Sequence, residues 1–161
     1  MKSLDTSQLQ TLSAEAARAP RLRKNYNLHD SPDDAVQRML NAFEPATYIR
    51  PHRHRDKWEL FVILSGSAAV LTFNDRGDVS ARIELDAARG TRLVEIPENT
   101  WHSLVSLAPQ TVLFEVKSGP YVPTSPDDFA AWAPAEGDAF AAACEQWFRT
   151  ATPGRSLTHG R

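Results

Sequence analysis

The sequence has few of the features that would place it in a secretory, membrane or nucleic-acid-binding class. Its single cysteine, Cys144, excludes an intrachain disulfide. No apolar run approaches the roughly 20 residues of a membrane-spanning helix, and residues 1–10 lack the apolar core of a signal peptide. A net charge of −2 gives no reason to expect nucleic acid or an anionic membrane as a partner. We therefore expect a cytoplasmic protein that binds neither.

The length and composition are those of an ordinary globular domain. The chain has 161 residues, of which 42% are hydrophobic and 24% are charged. That is enough apolar material for one sizeable core. No internal repeat is apparent, so the sequence favours a single domain.

The first 44 residues predict a helical arm that packs on the rest of the domain. Leucines and alanines recur at helical spacing over residues 5–18, and Pro20 ends that helix. Ser31 followed by Pro32 is typical of a second helix start, because serine caps a first turn and proline suits its first position. The apolar stripe of this second helix would consist of Val36, Met39, Leu40 and Phe43.

From Ala46 onward the apolar pattern changes to alternation, which predicts β-strands joined by turns, among them a hairpin turn at residues 74–77. Many short strands at regular spacing favour an antiparallel sandwich or barrel. The barrel would occupy residues 45–120, followed by a wrapping segment with a closing helix (121–150) and a mobile tail (151–161). The candidate strands are residues 46–50, 58–64, 67–73, 79–85, 91–96, 102–107 and 111–117.

The stretch PHRHRDKWELFVILSG carries the chemistry. His52 and His54 are two residues apart, so on a β-strand both imidazoles point to one face. Glu59 follows after an odd step of five residues, so its carboxylate reaches the same point only if residues 55–57 form a turn. Among the other histidines, His102 is the best further donor, because it lies in a turn that opens a strand. Such a donor set predicts a first-row transition-metal site. Alternatively, Glu59 holds a ligand histidine or an arginine and does not bind the metal itself.

These residues resemble the two metal-binding motifs of the cupin superfamily. The first, H-x-H-x4-E-x6-G, begins at His52, and the second, P-x4-H, ends at His102. The resemblance implies a single cupin jelly-roll β-barrel with short flanking helices, and one divalent metal held by His52, His54, His102 and Glu59. Four longer stretches resemble the WbuC family of cupin-fold metalloproteins: residues 25–29, 51–54, 95–102 and 114–121.

Three positions depart from the usual cupin pattern, and none of them is a candidate ligand. Ala46 and Asn99 stand where glycine is usual, and Ser106 stands where asparagine is usual. Asparagine tolerates a positive φ better than most residues do. The metal prediction is therefore unaffected by these differences.

Three further residues are candidates for the lining of a substrate pocket. Arg50 is in phase with His52 and His54, so its guanidinium could meet an anionic group of a ligand; the alternative is a solvated charge. Tyr48 shares that phase, and core packing is an equal alternative for it. The WbuC resemblance implies that His29 covers the mouth of the barrel, whereas on sequence alone it is a loop histidine.

Two functions of different class fit these residues. In the first, the protein is an isomerase- or epimerase-like or a dioxygenase-like metalloenzyme, and Zn, Fe, Ni or Mn activates a small anionic or sugar-related molecule. The WbuC resemblance implies a link to bacterial surface-polysaccharide (O-antigen) metabolism. In the second, the protein is a non-catalytic, metal-dependent binding protein for a small molecule. A metal with a purely structural role is a third alternative.

An enzyme needs an acid or base beside the metal, and a binding protein does not. Glu115 would supply one if its strand turned it inward, although solvation at a strand edge is the simpler expectation. The N-terminal arm could exchange across a homodimer. No catalytic residue is assigned from the sequence.

Overall fold

Two antiparallel β-sheets packed face to face form the centre of the structure, a computed structural model that describes residues 1–157. The strands are β1 (Arg23–Asn27), β2 (Val36–Phe43), β3 (Glu59–Ser65), β4 (Ser67–Phe73), β5 (Val79–Asp86), β6 (Leu93–Ile96), β7 (Trp101–Ser106) and β8 (Thr111–Ser118). The larger sheet has the order β1-β2-β8-β3-β6, and the smaller has the order β5-β4-β7. Helix α1 (Thr6–Arg18) precedes the sheets, and helix α2 (Ala141–Thr150) follows a short 3-10 turn at Pro126–Asp128.

The space between the sheets is filled by side chains that alternate along each strand. Phe61 and Ile63 of β3 point inward from the larger sheet and meet Val70 and Leu104 of the smaller one. Ile63 is fully buried. Burying a side chain of this size stabilises the fold by about 1.5–3 kcal/mol, so this cluster holds the two sheets together.

Each helix covers the outer face of one sheet. Leu12 and Ala16 of α1 pack against Leu40 and Ala42 of β2, and Asp5 begins the helix with a capping box. On the opposite side, Cys144 and Phe148 of α2 pack against Leu71 and Val105 of the smaller sheet. Cys144 is therefore a small core residue. Among the described residues, neither α-helix is long and apolar enough to cross a membrane.

The predicted second helix is wrong, because residues 36–43 form strand β2. The segment at Ser31 makes a turn instead, in which the backbone N–H groups of Asp33 and Asp34 donate to the Ser31 hydroxyl and carbonyl. Leu40 and Ala42 are covered by α1, while Phe43 on the other face lies in the core. Burial on both faces hides the alternation that would have identified a strand.

The larger sheet also includes β1, so it begins at Arg23 instead of residue 45. The predicted strand at residues 46–50 is an irregular segment that starts with a turn, in which Thr47 N–H donates to Glu44 O at 3.0 Å. The other predicted strands, helix α1, the hairpin turn at residues 74–77 and the closing helix are present.

Part of the predicted mobile tail is hydrogen-bonded to the barrel. The Val79 N–H donates to Arg155 O at 2.8 Å, and the Gly154 N–H donates to Val79 O at 2.8 Å. Residues 158–161, which complete that predicted tail, lie outside the described residues.

Candidate metal centre

Four side chains converge at one end of the space between the sheets. His52, His54, Glu59 and His102 each offer one donor atom, and these atoms all lie within 4.8 Å of one another. The segment that carries His52 is fixed to β7, because the backbones of His52 and His102 exchange hydrogen bonds of 3.0 and 2.9 Å. A bend at residues 55–56 then allows Glu59, the first residue of β3, to reach the same point. The structure thus brings together all four residues that the sequence singled out.

Two of the imidazole rings are oriented by backbone carbonyl groups. His52 Nδ1 lies 3.0 Å from Arg50 O, and His102 Nδ1 lies 2.8 Å from Thr100 O. A carbonyl oxygen only accepts hydrogen bonds, so in each ring Nδ1 carries the proton and the Nε2 lone pair of the neutral imidazole is free. This is the way in which proteins orient histidine toward a metal.

The contacts inside the cluster are short but do not have hydrogen-bond geometry. Glu59 Oε1 is 3.0 Å from His54 Nε2, and Glu59 Oε2 is 2.9 Å from His102 Nε2. Because the geometry is unsuitable for hydrogen bonds, His54 Nε2, His102 Nε2 and Glu59 Oε2 are buried without a hydrogen-bond partner. Each unsatisfied buried atom of this kind costs about 1–3 kcal/mol. A cation between these atoms would satisfy all three, so the donor set fits a divalent metal.

The protonation states of two ligands also suit a metal. Burial, and then the neighbouring His102, lower the pKa of His52 to about 3, so its imidazole is neutral. Burial alone would raise the pKa of Glu59, but its contacts with His102 and His54 and the charge of Lys117 hold that pKa well below its usual range. A metal binds the neutral form of histidine and the ionised form of glutamate. Near neutral pH, His52 and Glu59 already have these forms.

The structure adds a buried charged network that sequence analysis did not assign to the site. Lys117 Nζ lies 3.0 Å from Glu59 Oε1 and 2.7 Å from Glu115 Oε1. The amide of Asn41 donates to Glu115 Oε2 at 2.5 Å. Glu115 is only 7% exposed, so the expectation of a solvated strand-edge carboxylate is wrong.

The pKa values of this network follow from its burial and its charges. Burial and the charge of Glu59 raise the pKa of Glu115. Burial would lower the pKa of Lys117, but Glu115 and Glu59 outweigh it and raise that pKa. The one signal in the sequence was the alternation of Leu113, Glu115 and Lys117, which places all three on one face of β8. The opposite face of β8 is at least as apolar, so only the packing of Leu113 between the sheets identifies the inner face.

A cavity of about 330 Å³ adjoins the cluster. His52, Glu59, Glu115 and Lys117 lie in its wall, so the cluster is accessible from the cavity. Its other walls are formed by apolar side chains, and cationic and amide side chains also line it. The apolar lining residues include Phe43, Ile49, Phe61, Leu104 and Leu113. The cationic and amide lining residues are Arg21, Arg23, Lys24, Asn25 and Asn41.

The three predicted pocket residues do not line this cavity. The Tyr48 hydroxyl donates to Pro134 O at 2.8 Å and its ring stacks on Phe148, so Tyr48 packs in the core, which was the alternative. Arg50 Nη2 donates to Ala130 O at 3.0 Å while its guanidinium lies over a phenyl ring. His29 is bound through Nδ1 to the backbone of Arg38 and lines a separate cavity of about 270 Å³.

Two of the departures from the cupin glycine pattern take the backbone conformation that glycine favours. Asn99 has φ 55° and Ala46 has φ 73°. The Asn99 N–H donates to His54 O at 2.5 Å, so the turn that leads to His102 also holds the segment that carries His54. Asparagine adopts this left-handed conformation readily, whereas alanine does so at a cost.

The glycine that ends the first cupin motif, Gly66, has a steric role. Its φ is +70°, and a Cβ added there would lie 2.8 Å from Thr111 Cα. Only glycine fits so close to another backbone. Gly66 therefore permits the tight connection between β3 and β4, which sets the position of the strand that begins with Glu59.

Comparisons with known proteins agree with this fold and give no function. The family described as "Domain of unknown function (DUF6016)" matches residues 4–85, about half of the chain. No curated protein matches the chain. Solved structures of several proteins are similar to this chain in fold.

KdgF from Halomonas sp. is 17% identical with a TM-score of 0.50, over 65% of this chain and 84% of that one. A conserved protein of unknown function, SPY1581 from Streptococcus pyogenes, is 13% identical with a TM-score of 0.51, over 75% and 90%. A mutant of Bacillus subtilis oxalate decarboxylase OxdC is 16% identical with a TM-score of 0.51, over 68% of this chain but only 28% of that one. Such low identities show the fold alone. The single cupin jelly roll is confirmed, and the WbuC resemblance is not.

Proposed function

The chain belongs to the DUF6016 family, and we propose that it binds one divalent transition-metal ion through His52, His54, Glu59 and His102 and holds a small molecule in the adjoining cavity. One observation carries this proposal. Buried imidazole nitrogens lie within 3.0 Å of carboxylate oxygens without hydrogen-bond geometry, so the donor atoms are arranged around a common point instead of toward each other.

The donor set suits Zn, Fe, Ni or Mn, because imidazole and carboxylate ligands are common to all four metals. When bound, such a metal supplies Lewis-acid chemistry, and iron or manganese also supplies oxygen chemistry. His52 and Glu59 contact the cavity as well as the cluster, so a molecule in the cavity lies beside the metal ligands. This accessibility argues against a purely structural role for the metal.

The chain's own residues would orient and polarise that molecule. The apolar walls exclude water from around it, and Lys117 compensates the charges of Glu59 and Glu115 at the inner end of the cavity. The second oxygen of Glu115 is held by Asn41. A hydroxyl group on the bound molecule could therefore donate a hydrogen bond, or a proton, to the Glu115 carboxylate.

Glu115 is the observation that favours an enzyme over a binding protein. A binding protein has no need for a second buried carboxylate beside the metal ligands, whereas isomerisation or epimerisation requires a group that accepts a proton. We propose the enzyme as the first candidate and the non-catalytic binding protein as the second. A role in O-antigen metabolism rests on the WbuC resemblance alone and stays a prediction, as do a cytoplasmic location and a homodimer.

Cobalt titration of the metal-free protein tests the proposal. We expect visible absorption bands that saturate at one Co²⁺ per chain and are absent in His54→Ala. His29→Ala is the matched control, because His29 lies in a different cavity and should leave the titration unchanged. Identical spectra for wild type and His54→Ala would contradict the assigned site.

A further inference from the structure

We propose that the mouth of the metal cavity carries a carboxylate-binding subsite formed by Arg21 and Arg23, and that Glu136 occupies this subsite when no ligand is bound. The inference deepens the proposed function and rests on it in one respect, that the cavity holds a small molecule. It adds a class of ligand: a molecule with a carboxylate at the end remote from the metal cluster.

The two guanidinium groups already hold one carboxylate between them. Arg21 Nη2 lies 2.5 Å from Glu136 Oε2, and Arg23 Nη2 lies 2.6 Å from Glu136 Oε1. Each oxygen of the planar carboxylate thus has its own guanidinium, the charge-assisted arrangement for which arginine is well suited. The spacing of the two arginines therefore fits a carboxylate, as the position of Glu136 demonstrates.

These arginines belong to the cavity, whereas Glu136 does not. Arg21 and Arg23 both line the cavity that adjoins the metal cluster. Glu136 lines a neighbouring cavity of about 260 Å³ instead, which it shares with Arg21. The Glu136 carboxylate therefore reaches the arginines from outside, and a ligand carboxylate would reach them from the metal side.

The charges around the mouth leave room for an anion. The guanidinium groups of Arg21 and Arg23 line this part of the cavity, and one carboxylate, that of Glu136, pairs with both. One positive charge remains uncompensated at the mouth, which would attract a negatively charged ligand.

Glu136 is held loosely enough to be displaced, and Arg23 is held firmly enough to stay. Glu136 lies in an irregular segment before α2, its side chain is 36% exposed, and Gly137 follows it at φ +85°. Ion pairs exposed to this extent are weak. Arg23 is only 22% exposed and also donates to Tyr48 O at 2.8 Å, so its guanidinium remains in place when Glu136 leaves.

Acetate titration followed by NMR of the arginine Nε–H groups tests the subsite. The full-length protein is titrated with sodium acetate at constant ionic strength, as wild type and as Glu136→Gln. We expect the Arg21 and Arg23 signals to shift and saturate in both proteins. The midpoint should be about tenfold lower in Glu136→Gln, because removal of an internal competitor raises the fraction of free subsite.

Glu84→Gln is the matched control, since Glu84 pairs with Arg82 at 2.9 Å outside the cavity, and it should titrate as wild type does. Backbone amide spectra check that each variant is folded. Equal midpoints in wild type and Glu136→Gln, or no saturable shift in Glu136→Gln, would overturn the proposal. Tighter binding of inorganic phosphate than of acetate would overturn its assignment to a carboxylate.

The readout separates this inference from the proposed function. The arginine signals respond to acetate whether or not metal is bound, so the titration is carried out on both metal-free and zinc-loaded protein. Failure of the cobalt titration with a normal acetate response would reject the metal site alone. A normal cobalt titration without an acetate response would reject the subsite alone.

Discussion

The two ends of the space between the sheets are built on the same strands but from opposite kinds of residue. At the apolar end, Ile63 of β3 faces Leu113 of β8. Four residues earlier on β3, at the metal end, Glu59 faces Lys117 across the same pair of strands. The register between β3 and β8 is regular from Glu59 to Ile63. The same inward face of this strand pair therefore carries core residues at one end and metal-site residues at the other.

The two ends make opposite contributions to stability. The apolar end gains free energy from every buried side chain. The metal end buries two carboxylates and several imidazole nitrogens, and four atoms of these groups lack a hydrogen-bond partner. Burying unpaired polar and charged groups lowers the stability of the folded protein unless a bound ion or ligand satisfies them. We infer that the apolar end stabilises the fold and that the metal end is retained for binding.

The largest effect expected at the metal end is on metal affinity. Replacement of His102 by alanine removes a direct ligand. Loss of a residue that only supports a ligand typically lowers affinity 10- to 100-fold, so we expect His102→Ala to lower it by more than about 100-fold. Isothermal titration with Zn²⁺ measures this change. Unaltered affinity in a folded His102→Ala protein would remove His102 from the site.

The next largest effect concerns the stability of the metal-free protein. Lys117→Met leaves Glu59 and Glu115 buried without the cation between them. We expect the free energy of unfolding to fall by about 3–5 kcal/mol, as when a buried ion pair loses one partner. Urea denaturation measures this change, with Lys24→Met as control, because Lys24 is exposed and its ion pair with Glu15 is long, at 3.9 Å. A loss below about 1 kcal/mol would mean that Lys117 does not compensate these carboxylates.

At the apolar end the pattern should reverse. Ile63→Ala should lower the free energy of unfolding by about 2–5 kcal/mol, because it opens a cavity in the core, and should leave one Zn²⁺ bound per chain. Leu64→Ala is the control, since its side chain is 39% exposed and its loss should cost about 0.5 kcal/mol or less. If Ile63→Ala remained folded but bound no metal, the separation between the two ends would fail.

The smallest effect tests a residue outside both ends. Ala46 has φ 73°, and a left-handed backbone costs a non-glycine residue about 1–2 kcal/mol. Glycine at position 46 would remove this cost, but its flexibility in the unfolded chain offsets part of the benefit. Ala46→Gly should therefore raise the free energy of unfolding by about 0.5–1 kcal/mol. Metal binding should not change. Ala88→Gly, at an exposed position without a positive φ, should not stabilise the protein.

The metal cluster could be predicted because most of its spacing is local. The spacing of His52, His54 and Glu59 brings their side chains together with only strand geometry and one turn. The chain has few other histidines, so His102 could be chosen as the further ligand. Lys117 and Glu115 could not be placed, because the register between β3 and β8 is set by residues far apart in sequence. Strand β2 was mistaken for a helix for a related reason: α1 covers its outer face, so its apolar pattern lost the period of two.

The most direct test of the metal site is elemental analysis of the full-length protein, purified without a tag and without added metal, beside the double variant His54→Ala/His102→Ala. We expect about one divalent transition-metal ion per wild-type chain and almost none in the variant, because a site that loses two direct ligands loses most of its affinity. Equal metal content in the two proteins would contradict this expectation.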